Sequence, residues 1–320
     1  MTWPGVSQRR VATNGIELNV AEAGKGPLVL LLHGFPESWY SWRHQFKPIA
    51  DAGYHVVAPD MRGYGKSDKP HAIEAYNQVE VRKDIMGLIP ALGYESAIVI
   101  GHDWGAPTAW ATALHHPDQV RAVGALSVPF IPRSPVQPMP AIREMFKGQF
   151  FYQLYFFEPG IAEAEFEADI RMALKKFLVM AGGETDLTQL APKGPDDDMF
   201  SSQPEPESLP GWLSEDDLDF YTGEFSQSGM RGPLNYYRNH DLAWKLTEGA
   251  PTFIDQPAFF AAGTNDGVIM MAAEAYQAMP SFVRDLRINE LIPGIGHWTQ
   301  QEAPEKTNEI ILRFLKEVDG

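Results

Sequence analysis

Five residues, Gly101-His102-Asp103-Trp104-Gly105, restrict what this chain can fold into more than any other stretch. An apolar run, Ser96-Ala97-Ile98-Val99-Ile100, ends at Gly101, and a helix-like segment from Ala106 to Leu114 begins just after Gly105. The order is therefore strand, sharp turn, helix, with Asp103 at the tip. Flanking glycines permit the tight backbone that lifts one side chain above a sheet edge. The known form of this elbow carries serine at its tip. A carboxylate there is a poor acyl acceptor, because acyl transfer to it gives an anhydride. It suits displacement at a saturated carbon that bears a leaving group, such as an epoxide oxygen or a halide.

The rest of the chain supplies a sheet for such an elbow. Arg10-Val11-Ala12 and Ile16-Glu17-Leu18-Asn19-Val20 flank Asn14-Gly15, a strong hairpin signal. Pro27-Leu28-Val29-Leu30-Leu31-Leu32 is apolar without alternation, as in a strand covered on both faces. Further strands are predicted at His55–Ala58, Ser96–Ile100, Val120–Leu126, Ala258–Ala262 and Arg284–Leu291. Helices are predicted near Ser41–Ala50, Glu80–Leu92 and Pro304–Val318. This alternation predicts an α/β fold, a mostly parallel sheet flanked by helices.

The rhythm stops at proline-rich Val128-Pro129-Phe130-Ile131-Pro132. Helix-like segments follow near Glu144–Phe157, Ile161–Met180, Glu215–Ser228 and Pro233–Asn239. The expected organisation is a core over 1–129, an inserted helical cap over 130–247, and the rest of the core over 248–320. Ala191 to Asp219 is rich in Pro, Asp and Glu and long for a plain connection. It is expected to be a solvated or partly disordered loop, with a mobile lid as the other reading. Phe130, Met139, Met145 and Leu154 are expected to help shape an apolar pocket.

Composition removes several function classes. The 320 residues carry a net charge of −16, which repels nucleic-acid phosphates and anionic lipid. The absence of cysteine excludes disulfides, thiolate metal sites and a cysteine nucleophile. No apolar run spans a bilayer, and Met1-Thr2-Trp3-Pro4-Gly5 lacks a signal-peptide pattern, so a cytoplasmic protein is expected. Self-association stays open. Gly65-Lys66-Ser67 resembles the end of a phosphate-binding loop, but Asp60 stands where its first glycine is needed. No histidines pair as H-E-x-x-H. Neither a metal nor another cofactor is expected.

Ligands of open parallel sheets bind beyond the carboxyl ends of the strands. Asp103, Asp266 (in Gly263-Thr264-Asn265-Asp266-Gly267) and His297 (in Gly294-Ile295-Gly296-His297-Trp298) all follow predicted strands. Singly, Asp266 reads as a turn residue and His297 as a surface histidine, and a helix cap is the plain alternative for Asp103. Together, in the order nucleophile, acid, base, they read as a catalytic triad. His33-Gly34-Phe35-Pro36 follows the Leu28–Leu32 strand. The backbone N–H groups of Phe35 and Trp104 are the expected oxyanion hole.

These residues resemble the α/β-hydrolase superfamily, and more closely its soluble epoxide hydrolases. The resemblance runs over nearly the whole chain. Its marks are His33-Gly34-Phe35-Pro36-Glu37-Ser38-Trp39-Tyr40-Ser41-Trp42-Arg43, Asp60-Met61-Arg62-Gly63-Tyr64-Gly65 and the elbow itself. Two cap segments add to it. Phe151-Tyr152-Gln153-Leu154-Tyr155-Phe156-Phe157-Glu158-Pro159-Gly160 resembles the family segment with the first epoxide-binding tyrosine, at Tyr152. Gly229-Met230-Arg231-Gly232-Pro233-Leu234-Asn235-Tyr236-Tyr237-Arg238-Asn239 resembles that with the second, at Tyr237. Tyr155 and Tyr236 are read as core aromatics.

The resemblance implies hydrolysis of a small-molecule epoxide to a vicinal diol through an aspartyl ester. Asp103 is then the nucleophile, His297 the base, Asp266 its orienting acid, and Tyr152 and Tyr237 the groups that activate the epoxide. Gln153, Phe35, Pro36 and Trp104 are expected to touch substrate. One alternative is a haloalkane or haloacid dehalogenase using the same Asp103. Phe35 stands where haloalkane enzymes commonly place a halide-binding Asn, and Trp104 where haloacid enzymes place Arg. Another alternative is a non-catalytic ligand-binding protein on the same scaffold.

Overall fold

The computed structural model describes residues 3–186 and 192–320. Eight strands form one sheet: β1 (Ser7–Thr13), β2 (Ile16–Gly24), β3 (Leu28–Leu32), β4 (His55–Pro59), β5 (Ala97–His102), β6 (Val120–Leu126), β7 (Ile254–Gly263) and β8 (Val283–Ile292). Their order is β1-β2-β4-β3-β5-β6-β7-β8. The β1–β2 and β2–β4 pairs are antiparallel, and every other pair is parallel. The β1–β2 turn has φ of +43° at Asn14 and +75° at Gly15, the left-handed pair that an Asn-Gly hairpin needs.

Every side chain of β3 is buried, as its unbroken apolar run requires. The helices Gln78–Ala91, Gly105–His115 and Pro304–Asp319 turn apolar residues such as Ile85, Leu88, Ala109, Ile311 and Phe314 to the sheet. Between β6 and β7 the chain leaves the sheet and forms a helical insertion, from Pro138–Met145 to His240–Leu246.

Several expected helices are divided. Glu144–Phe157 resolves into Pro138–Met145 and Tyr152–Phe157, because Gly148 turns the chain at φ +79°. Ile161–Met180 breaks at Asp169, whose carboxylate caps the second helix by accepting the Met172 N–H at 3.0 Å. Pro233–Asn239 is a short helix, Arg231–Asn235, followed by a tighter turn at Tyr236–Asn239. Ser41–Ala50 likewise divides into a turn at Trp39–Trp42 and a helix at Phe46–Asp51.

The acidic segment departs furthest from expectation. Ala191 lies outside the described residues, but from Pro192 onward the chain is anchored. Met199, Phe200 and Leu213 are buried. Glu165 accepts the N–H groups of Met199 (3.0 Å) and Phe200 (2.7 Å). The Lys176 ammonium donates to the carbonyls of Phe200 (3.1 Å) and Gln203 (2.7 Å). The Phe200 ring lies edge-on to Phe166, with centroids 4.9 Å apart. A few apolar side chains thus hold a segment whose composition is mostly polar.

Candidate active site

Asp103 leaves β5 at φ +48°, a left-handed conformation that non-glycine residues adopt at a cost of about 1–3 kcal/mol. Its neighbours leave no room for side chains. A Cβ on Gly101 would sit 2.0 Å from the Gly105 carbonyl oxygen, and one on Gly105 would sit 2.1 Å from that of Leu32. Helix Gly105–His115 can therefore start directly against β3 and β5, with the Asp103 carboxylate raised at the sheet edge.

Three elements meet at that carboxylate. The Phe35 N–H, on the loop after β3, donates to Asp103 Oδ1 at 2.7 Å. His297 Nε2, on the loop after β8, lies 3.4 Å from Asp103 Oδ2. His297 Nδ1 lies 3.1 and 3.2 Å from the two oxygens of Asp266, on the loop after β7. Asp266 also accepts the Val268 N–H at 2.8 Å, capping the short helix Gly267–Met271. Asp266 thus caps a helix and faces the histidine at the same time. Trp104 begins the elbow helix, and its ring stands edge-on to Tyr237 with centroids 5.1 Å apart.

The charges follow from the contacts. Burial alone raises the Asp103 carboxyl, but the His297 contact outweighs it and holds the group below the usual carboxylate range. Burial alone lowers the His297 imidazole, but Asp266 and Asp103 hold it well above its ordinary value. Both directions favour the charged forms, a carboxylate beside an imidazolium.

A buried polar network that sequence reading missed fixes the histidine's backbone. The His297 carbonyl accepts from His102 Nε2 (2.7 Å) and Ser127 Oγ (2.9 Å). His102 Nδ1 faces Glu37 Oε2 at 2.8 Å. Glu37 also accepts the Gly34 N–H at 3.1 Å and the side-chain amides of Gln300 (2.9 Å) and Gln301 (3.0 Å). Burial raises the Glu37 carboxyl, but His102 and its other partners hold it below its usual range. Only the buried, chemistry-bearing letters of His33–Arg43 and Gly101–Gly105 hinted at this network.

The two tyrosines come from the insertion. Tyr152 opens helix Tyr152–Phe157, and Tyr237 lies in the turn Tyr236–Asn239. Their rings are edge-on, with centroids 6.0 Å apart, and both line the same cavity as Asp103, Asp266, His297 and Phe35. Gln153 Nε2 donates to the Tyr152 hydroxyl at 3.0 Å, which leaves that O–H proton free for another acceptor. Burial pushes both phenols up, with Asp103 adding to the effect. Their neighbours are tied elsewhere: Tyr155 donates to Glu165 (2.8 Å) and Tyr236 to the Arg62 carbonyl (3.0 Å).

The cavity holds about 750 Å³. Of the expected substrate contacts, Phe35 lines it, whereas Gln153, Pro36 and Trp104 are not among its lining residues. Phe130, Met139, Met145 and Leu154 do not line it either. Phe130 packs on Trp110 at 5.8 Å, Met139 is buried elsewhere, and Met145 is 73% exposed. The apolar walls come instead from residues such as Phe150, Phe177, Met180, Met199 and Val268. Among the described residues, no group of three or more His, Asp or Glu could hold a metal ion. No described helix is long and apolar enough to cross a membrane.

Two carboxylates and a histidine meeting at the strand ends of a mostly parallel sheet, with an inserted helical segment, fit a hydrolase architecture, and the α/β-hydrolase fold family matches residues 27–304. Epoxide hydrolase A of Mycobacterium tuberculosis is 45% identical over 97% of both chains. Epoxide hydrolase 1 of Siraitia grosvenorii is 39% identical over 98% of this chain and 99% of its own. The solved structure of an epoxide hydrolase from an endophytic Streptomyces superposes with a TM-score of 0.96 at 41% identity, covering 99% of this chain and 97% of that one. The chain belongs to the epoxide hydrolases of the α/β-hydrolase fold.

Proposed function

We propose that this protein opens an epoxide to a vicinal diol in two steps, with Asp103 as the nucleophile. The observation that carries this reading is the Asp103 carboxylate sharing one cavity with two phenols, the half-buried Tyr152 and the buried Tyr237. A halide leaves without a proton and has no use for a pair of acids. An epoxide oxygen becomes an alkoxide and needs a proton.

In the first step Asp103 Oδ2 attacks a ring carbon and the carbon–oxygen bond of the epoxide breaks. Tyr152 and Tyr237 hydrogen-bond the departing oxygen, and one of them gives it a proton. The product is an ester between Asp103 and a hydroxyalkyl group. Esterification removes the negative charge beside His297 Nε2, one of the two charges that hold its pKa up. His297 then releases a proton, which balances the one taken from the phenol.

In the second step neutral His297, oriented by Asp266, takes a proton from water, and the oxygen attacks the Asp103 ester carbon. The Phe35 N–H, already on Oδ1, and the Trp104 N–H stabilise the oxyanion; one such donor is worth about 10²–10³ in rate. The diol alkoxide leaves and takes the proton of the new carboxyl. Asp103 carboxylate and His297 imidazolium are restored. Residues 130–247 act as the cap that brings the phenols to the nucleophile.

Single turnover in heavy-oxygen water tests this. The diol of the first turnover should carry almost no label, because its new oxygen comes from Asp103. Full labelling in that turnover would mean direct attack by water.

A further inference from the structure

Glu302 takes no part in the chemistry above, yet its carboxylate holds the peptide on each side of His297. It ends the short helix Thr299–Glu302, which starts two residues after the histidine. Glu302 Oε2 accepts the Gly296 N–H at 3.0 Å, and Oε1 accepts the Trp298 N–H at 2.9 Å. Oε2 also accepts the N–H of Gly183 at 2.9 Å, from the helical insertion. Every one of these donors is a backbone group. An ionised carboxylate offers acceptors and no donor, so it satisfies them all at once. Burial raises the Glu302 carboxyl, while the Gly296, Gly183 and Trp298 N–H groups and the charge of His297 act the other way.

The insertion is fastened to the same loops at further points. The Ala181 carbonyl accepts the His297 N–H at 2.9 Å. The Asn265 side-chain amide donates to the Gly183 carbonyl at 2.9 Å, and the Trp298 indole to the Leu178 carbonyl at 2.7 Å. The two backbones touch: a Cβ on Gly183 would lie 2.4 Å from the Gly294 carbonyl oxygen, and one on Gly296 would lie 2.2 Å from the Gly183 nitrogen. Asp103 is placed without this seam, by the elbow after β5 and the Phe35 N–H at 2.7 Å.

We propose that Glu302 is a positioning residue for the second step: it fixes the peptide around His297, against the insertion, so that Nε2 meets the water that attacks the Asp103 ester. The inference rests on the two-step reading of epoxide opening. In the first step His297 Nε2 is a neighbour of the attacking carboxylate and moves no proton to substrate. In the second it must align with both water and ester carbon, where a displacement of about 1 Å costs about 10²-fold.

Glu302→Gln tests this. The side chain keeps its shape, but an NH₂ group replaces one oxygen and must face at least one of the peptide donors. Rapid quench with mass detection of the Asp103 ester, beside steady-state kinetics, reads the two steps apart. Ester hydrolysis should slow roughly ten- to hundredfold, while ester formation stays within about threefold of native. The ester should then accumulate, and kcat and KM should fall together with kcat/KM nearly unchanged. A part in folding alone would slow both steps alike. Equal losses in the two steps, or native hydrolysis in the folded variant, would overturn the positioning role and leave epoxide opening intact. An absence of ester in the native protein would instead remove the two-step reading, and this inference with it. If thermal melts show that Glu302→Gln does not fold, Glu302→Asp takes its place, because it keeps the charge and withdraws both oxygens by one methylene. A loss confined to hydrolysis supports the role there too, and equal losses or none refute it.

Discussion

Replacing the two cavity phenols by phenylalanine should separate ester formation from ester hydrolysis. Each hydroxyl has one proton to give. Tyr152 accepts from Gln153 at 3.0 Å, so its O–H is directed to a further acceptor, and the Tyr237 ring stands edge-on to Trp104 with centroids 5.1 Å apart. Burial weakens both phenols as acids in water's terms, which brings them nearer to the strongly basic alkoxide they must protonate. Loss of one donor to a developing oxyanion costs about 10²-fold, close to 2.7 kcal/mol of barrier. The remaining phenol still protonates the oxygen in either single variant. The double variant Tyr152→Phe/Tyr237→Phe removes both the hydrogen bonds and the proton source, and its alkylation rate should fall by about 10⁴. Tyr152→Phe also orphans Gln153 Nε2, at a stability cost of about 1 kcal/mol. Rapid quench with mass detection of the Asp103 ester measures alkylation directly, and thermal melts show whether the fold is intact. A folded double variant that forms the ester within tenfold of the native rate would show that the phenols are only wall, and the proposed first step would be wrong.

Gly34→Ala should abolish ester formation while the protein still folds. The added Cβ would lie 2.3 Å from both Cβ and Oδ1 of Asp103, so the carboxylate must leave the Phe35 N–H. Such overpacking typically costs about 1–3 kcal/mol of stability, and adduct formation at the native rate would contradict the fixed placement of Asp103. Glu224→Gln should stabilise the protein in alkaline solution. Burial, with Asp60 adding like charge, raises the Glu224 carboxyl from 4.5 to about 7, and its Oε2 has no hydrogen-bond partner. The unfolded chain ionises this group first as pH rises, so native stability falls between pH 4.5 and about 7 and stays lower above. Melts across that range should show the variant level with the native protein on the acid side and ahead of it on the alkaline side. Equal melts throughout would show that Glu224 ionises freely in the fold.

The parts of the site that were legible in the sequence are those encoded by short, contiguous signals. The unbroken apolar run of β3, the Asn14-Gly15 turn and the glycine-flanked Asp103 each state their geometry within a few residues. Asp266 and His297 follow strands, and strand ends converge by topology, so their meeting with Asp103 needed no long-range information. The Glu37–His102–His297 linkage was not readable, because it joins residues 65 and 195 positions apart through burial that only the finished fold creates. The cavity walls were misassigned for the same reason. Met145 looks like a core residue in sequence but faces solvent, whereas Met199 and Phe200 sit beside Asp196, Asp197 and Asp198, whose charges disguise their burial. Helix divisions at Gly148 and Asp169 escaped a periodicity reading that averages over such single residues.

The carboxylates and the imidazole belong to loops of the sheet, while both phenols ride on the insertion between β6 and β7. In the proposed reaction one half of the molecule makes a bond to carbon, and the other half decides which atom is persuaded to depart. On that proposal, inserted helices bearing a halide cradle would offer Asp103 a different leaving group, with every residue of the sheet left in place. The two junctions of that insertion, Leu126 and Ile254, lie on neighbouring strands, so the module leaves and rejoins the sheet at one place.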